Sequence, residues 1–150
     1  NPLNVTISKD TLADVKEALR IALKSANAKT CLQTFFGNFS QIMPEALDFP
    51  VDDLGIDLYE TNMEELKKYE FDKGVALGLV DSRSSLVEDE NELVAVAKGI
   101  IQSIFSSKIF DVFICPNCDL EFLPWERAEE KIRAISRVAR RLKAELGIYE

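Results

Sequence analysis

The chain contains no histidine and only three cysteines among its 150 residues. Without imidazole, chemistry carried by this chain has no His as base, nucleophile or metal ligand. Three cysteines are an odd number, and Cys115 and Cys118 stand only three positions apart. That is no disulfide framework, and it predicts a reducing, cytoplasmic setting. No apolar run approaches the roughly 20 residues that span a bilayer, so no membrane partner is expected. The opening NPLNVTISKDTL lacks the basic start and apolar stretch of a secretory signal. It begins with Asn rather than Met, so the sequence is expected to be a processed product or a fragment. Positive charge is also scarce: 18 Lys and Arg stand against 26 Asp and Glu, a net charge of −8. That balance argues against nucleic acid as a partner, which requires a cationic footprint. One basic stretch, KIRAISRVARRLK at 131–143, is expected to be the solvated face of an amphipathic helix.

What is present is an alternation of patterns. The apolar fraction of 47% and charged fraction of 29% are those of a globular protein with a core of useful size. Apolar residues at helical spacing predict a helix over 10–26. A strand follows over 28–36, closed by Gly37, and then a short helix over 39–47 that has Pro44 awkwardly inside it. Strands are expected over 53–59, 74–81 and 109–115. Between and after them lie helices over 62–69, with Asn62 as N-cap, over 88–105, and over 124–147, with Pro124 in the first turn and Gly147 beyond the end. The order is one helix followed by four strand–helix units, which predicts an α/β fold with a parallel sheet covered on both faces.

Ligands of such folds sit at the carboxyl ends of the strands. Those ends carry residues 33–37, 60–62, 81–84 and 115–119, so Glu60, Asp81 and Cys118 are expected on one rim. The C-x-x-C pair at Cys115 and Cys118 has three readings: a thiol redox pair, part of a zinc site, or two structural thiols. A redox pair requires the first Cys exposed at a helix start, and here the stretch DLEFLP intervenes. A zinc site requires four ligands; Cys115, Cys118 and Glu60 would need one more, and the remaining thiol, Cys31, sits inside a strand.

GVALGLVDSRS, FICPNCDLEFLPWERAEEKI, TCLQTFFGNFSQIMPEAL and IDLYET, in their order along nearly the whole chain, resemble the C-terminal barrel of cobalamin-independent methionine synthase. The resemblance implies that residues 1–150 are the second half of a TIM-type (β/α)8 barrel, as a single domain or a fragment of one. It implies methyl transfer from a folate-type donor to the homocysteine thiol, with zinc holding that thiol as its thiolate; a free thiol of pKa ~8.5 is mostly protonated at neutral pH. Among the zinc ligands of the family, the Glu matches Glu60 and the last Cys matches Cys118. The His-x-Cys pair falls on Gln33-Thr34-Phe35, so two of four ligands are replaced and the zinc site is degenerate. Asp81 takes the place of the catalytic acid of the third segment. Gln33, Arg83 and Ser84 are left as substrate-binding candidates for a small-molecule thiol or folate-type ligand. The alternative is a non-catalytic small-molecule-binding or regulatory subunit. Half a barrel exposes two strand edges and an inner face expected to include Phe35, Leu58, Leu79 and Phe113. A missing N-terminal barrel half or a homodimer is the expected partner.

Overall fold

In the computed structural model, residues 7–104 and 111–147 are described. Four strands, β1 (Cys31–Gln33), β2 (Asp53–Asp57), β3 (Gly74–Val80) and β4 (Val112–Pro116), form one sheet in the order β1-β2-β3-β4. Every neighbouring pair is parallel. The helices are α1 (Lys9–Ala22), α2 (Met63–Leu66), α3 (Glu90–Ile104) and α4 (Trp125–Glu145). The parallel α/β expectation is met.

Several boundaries differ from those expected. Ser8, not a residue at position 10, caps α1, accepting a hydrogen bond from the Thr11 amide, and the helix ends four residues early at Ala22. The expected helix over 39–47 is instead two 3-10 turns, Phe39–Ile42 and Glu45–Asp48, separated by Met43 and Pro44 with a cis peptide between them. Pro44 has no amide to donate and cannot continue the first turn. Strand β1 keeps only three of nine expected residues, because beyond Gln33 the chain turns through Phe36 at φ 62°. Asn62 caps α2 as expected, and Gly147, at φ 69°, follows the end of α4. Pro124 precedes α4 rather than lying inside it. Residues 109–110 of the expected fourth strand and residue 105 of the helix expected over 88–105 lie outside the described residues.

The sheet has two unlike faces, set by the two-residue period of its strands. One carries Leu54, Ile56, Val75 and Leu77, all essentially fully buried. Against it pack Leu93, Val94, Ala97 and Ile101 of α3 and Val138 and Leu142 of α4. Burying each such aliphatic side chain contributes about 1.5–3 kcal/mol, so this layer holds the unit together. The register pairs Gln33, Gly55 and Ala76 with one another and Ala76 with Phe113 on the other face, and places Asp57, Gly78 and Cys115 one step along it.

That second face is small and polar, not apolar as expected. Leu58 packs against the helical core and Leu79 is buried within it; both point to the helices. Of the four residues expected on the inner face, Phe35 and Phe113 remain exposed. A flat sheet with strands ~4.8 Å apart would separate β1 from β4 by roughly 14 Å. Yet Gln33 Nε2 donates to the Asn117 carbonyl at 3.4 Å and the Cys115 thiol lies 3.8 Å from Gln33 Oε1. Lys29, just before β1, pairs with Asp111, just before β4, and stands over the Phe113 ring. The sheet therefore curls strongly, and the polar face is its concave side.

Candidate functional site

The rim at the carboxyl ends of the strands is organised around Asp57, Asp81 and Asn117. Asp57 closes β2 on the concave side, fully buried. Its Oδ1 accepts from the Tyr59 amide at 3.0 Å and from Asn117 Nδ2 at 3.3 Å, and its Oδ2 from the Phe36 amide at 3.3 Å. Three N–H donors offset the cost of burying the charge. The bond to Phe36 ties down the one non-glycine residue with positive φ among the described residues. Asn117, also fully buried, donates from Nδ2 to Asp81 Oδ1 at 3.3 Å and accepts from the Ser82 amide at 2.9 Å. Ser82 in turn donates to the Cys118 carbonyl at 2.8 Å.

Asn117 can sit there because of Gly78. A Cβ on Gly78 would stand 2.8 Å from Asn117 Cα and 2.7 Å from the Ile56 carbonyl oxygen. The register shift between Gly78 and Val80 lies at this point, and the Asn117 amide donates to the Val80 carbonyl at 2.9 Å. Gly55 serves a similar purpose: its missing side chain leaves the space in which the Gln33 amide lies.

Arg83 is the cation of the rim. Its Nε donates to Asp81 Oδ1 at 2.9 Å and its Nη1 to Glu60 Oε1 at 2.5 Å, with the Tyr59 ring 5.9 Å from its guanidinium carbon. Burial raises the Asp81 carboxyl, but hydrogen bonds and charge from Arg83, with Asn117, outweigh it and hold Asp81 below the ordinary carboxylate value. The same bonds to Asp81 and Glu60 push the guanidinium further up.

A second layer supports the first. Glu88 Oε1 accepts from the Asp81 amide at 2.8 Å, and the Tyr59 hydroxyl donates to the Leu79 carbonyl at 3.1 Å beside it. Burial, then the Glu88 and Asp81 charges, push the Tyr59 phenol up to about 12. Glu88 is itself gripped by Lys131 of α4, whose Nζ donates to both carboxylate oxygens at 2.9 Å and to the Leu86 carbonyl at 2.5 Å.

The residues picked out by sequence meet this geometry as follows. Glu60 and Asp81 are joined through Arg83, and Cys118 is joined to them through Ser82, so the three converge on one rim. Gln33 reaches the same cluster through the Asn117 carbonyl. Ser84 lies in the next turn, where its hydroxyl accepts from the Leu86 amide. Cys31 shares the concave face with Gln33, one step further from the rim. Cys115 is pushed up to about 12 by burial, with the nearby Cys31 adding to it. Neither thiol of the C-x-x-C pair stands at a helix start, because α4 begins at Trp125. Burial also raises Cys118, against opposing contributions from Ser82 and Arg83. Among the described residues, no three Cys, Asp or Glu groups cluster as metal ligands.

Sequence reasoning missed four members of the cluster. Asp57 was legible as the last concave-side position of β2, two after Gly55. Lys131 was assigned to a solvated face, yet it is fully buried. It lies on the helical stripe with Ala134, Val138 and Leu142, the buried side of α4. Glu88 sits in a polar stretch with no periodicity to mark it. Asn117 stands between the two cysteines of the C-x-x-C pair, with no pattern of its own to mark it.

The profile of the family described as cobalamin-independent synthase, catalytic domain, matches residues 2–141. The chain is 27% identical over 135 residues to 5-methyltetrahydropteroyltriglutamate–homocysteine methyltransferases from Bacillus thuringiensis strain Al Hakam and Bacillus cereus strain AH820. Those alignments cover 86% of this chain but 17% of each relative, so the chain spans about a sixth of their length. Its fold is similar to that of a B12-independent methionine synthase from Shewanella sp. W3-18-1 in complex with selenomethionine. The TM-score is 0.77 at 17% identity, over 93% of this chain and 46% of that one. The four strand–helix units are thus a partial barrel of that architecture, and the chain belongs to the cobalamin-independent synthase catalytic-domain family.

Proposed function

We propose that the rim of this chain binds a zwitterionic sulfur amino acid of the homocysteine–methionine class, and does so without zinc-driven methyl transfer. The observation that carries the reading is the placement of Arg83 between Asp81 and Glu60. An amino-acid carboxylate replaces one partner of the guanidinium fork, and the freed acid takes the ammonium group. The exchange breaks one ion pair and forms two, so internal pairing is no bar to binding. The solved relative in complex with selenomethionine supports this ligand class.

The zinc implied by family resemblance does not fit the residues present. Gln33 and Phe35 stand where His and Cys ligands are expected. The Glu60 carboxylate is held by a guanidinium at 2.5 Å. Cys118 and Glu60 alone are too few donors for a site that normally takes three protein ligands or more. The exposed Phe35 and Phe113 and the two outer strands belong against the remaining barrel strands, supplied by more polypeptide or by a second copy of the chain.

The test is isothermal titration with L-methionine and L-homocysteine in the presence of a chelator. Both are expected to bind, and Arg83→Ala to abolish binding while leaving the far-UV circular dichroism unchanged. Absence of binding to wild type, or binding that appears only after zinc is loaded, overturns the proposal. Membership in the family favours a second reading, in which methyl transfer from a folate-type donor persists once the barrel is complete. About one zinc per chain by elemental analysis, together with methionine formation, would establish it.

A further inference from the structure

We propose that Glu88 and Lys131 are positioning residues for the rim, acting on the ligand only through Asp81 and Arg83. The inference rests on the amino-acid-binding reading for its consequence, though not for its geometry. The Asp81 turn needs an external hold, because its carboxylate already serves three donors: the Arg83 amide at 3.1 Å, Arg83 Nε and Asn117 Nδ2. Its backbone amide is fixed by Glu88 at 2.8 Å. Glu88 lies only seven residues further on, in a segment without regular structure, and needs an anchor of its own.

Lys131 supplies it. Its side chain is fully inaccessible to water, and all three ammonium hydrogens have acceptors: two Glu88 oxygens and the Leu86 carbonyl. A buried ammonium is kept only where such partners offset its desolvation. Lys131 shares the core stripe of α4 with Ala134 and Val138, so its backbone is set by packing on the sheet. The rigid helix thus fixes Glu88, Glu88 fixes the Asp81 amide, and Asp81 aims Arg83. Simple core stabilisation would not require a lysine here, since a methionine of similar length would pack as well.

The experiment uses amide and arginine side-chain NMR on the full chain, first without ligand. In wild type, the Asp81 amide and Arg83 Nε–H are expected to be protected from solvent exchange. Lys131→Met should lose most of that protection. Glu88→Gln keeps an oxygen for the Asp81 amide but turns an NH2 group toward the buried Lys131 ammonium, so it should lose protection too, and the double variant Lys131→Met/Glu88→Gln removes the unpaired buried charge and keeps the protein folded. Titration with L-methionine should then show affinity about tenfold weaker in Lys131→Met and in Glu88→Gln. Unchanged Asp81 and Arg83 protection in a folded Lys131→Met or double variant overturns the proposal. Lost protection in variants of a wild-type protein that binds no methionine would uphold the positioning role and sink the binding reading alone.

Discussion

Adding one methyl group at Gly78 tests how the rim is built. The new Cβ would stand 2.7 Å from the Ile56 carbonyl oxygen and 2.8 Å from Asn117 Cα. Comfortable contacts lie near ~3.5–4.0 Å, so the intrusion is on the order of 1 Å. Both obstacles are backbone atoms, so no rotamer change relieves them. Ile56 is held in the β2–β3 ladder, and Asn117 is pinned through its amide to Val80. Overpacking costs about 1–3 kcal/mol, and with no flexible neighbour the upper half of that range is expected for Gly78→Ala. At ~2–4 °C per kcal/mol for a chain of this size, the melting temperature should fall by roughly 4–12 °C. Gly99→Ala is the matched control. Nothing lies within 4 Å of its added Cβ, and the residue is exposed inside α3, so the change should stabilise by ~0.8–1 kcal/mol through helix propensity. Guanidinium and thermal unfolding of both variants measure the contrast. A Gly78→Ala protein within about 0.5 kcal/mol of wild type would refute the claim that Asn117 depends on this close approach.

Two further predictions concern ionisation. The folded Asp81 carboxyl lies below its unfolded value, so its contribution to stability is present above the unfolded pKa of about 3.9 and lost as pH falls through the folded value. Asp81→Asn should flatten the decline of stability between about pH 4 and pH 2, and an identical slope in both proteins would contradict the assignment. Cys31 is exposed while Cys115 is partly covered and Cys118 buried, so a disulfide reagent at pH 8 should label one thiol quickly, at Cys31. Equally fast labelling of Cys115 or Cys118, read by peptide mass spectrometry, would restore the redox reading of the C-x-x-C pair.

The layer order and the rim were legible in sequence because they depend on patterns that survive local error. Strand β3 reads as an unbroken apolar run because both of its faces are covered, and all seven residues are buried. Once the strands are parallel, Glu60, Asp81 and Cys118 must share a rim whatever the exact strand ends. The inward expectation for Leu58 and Leu79 runs against the strand period, which puts Leu58 with Leu54 and Ile56, and Leu79 with Val75 and Leu77, on the helical face. What the period does not announce is the register shift of β3 between Gly78 and Val80. Such an irregularity is written into the close approach of Asn117, a contact between residues 39 positions apart, and leaves no local trace.

Lys131 shows a different kind of illegibility. Its neighbours in sequence, Ile132 and Arg133, are exposed, so composition places it with the solvated charges. Periodicity places it with Ala134 and Val138, and periodicity is the stronger physical constraint, because a helix rotates about 100° per residue whatever its side chains. A lysine on the apolar stripe therefore demands an acidic partner, and its sequence position alone raises that demand. Glu88 meets it from 43 residues away, in a loop whose own sequence gives no reason to be ordered. Charge on the wrong face of a helix is thus a usable signal for long-range contact, and in this chain it leads directly from the core of α4 to the turn that carries Arg83.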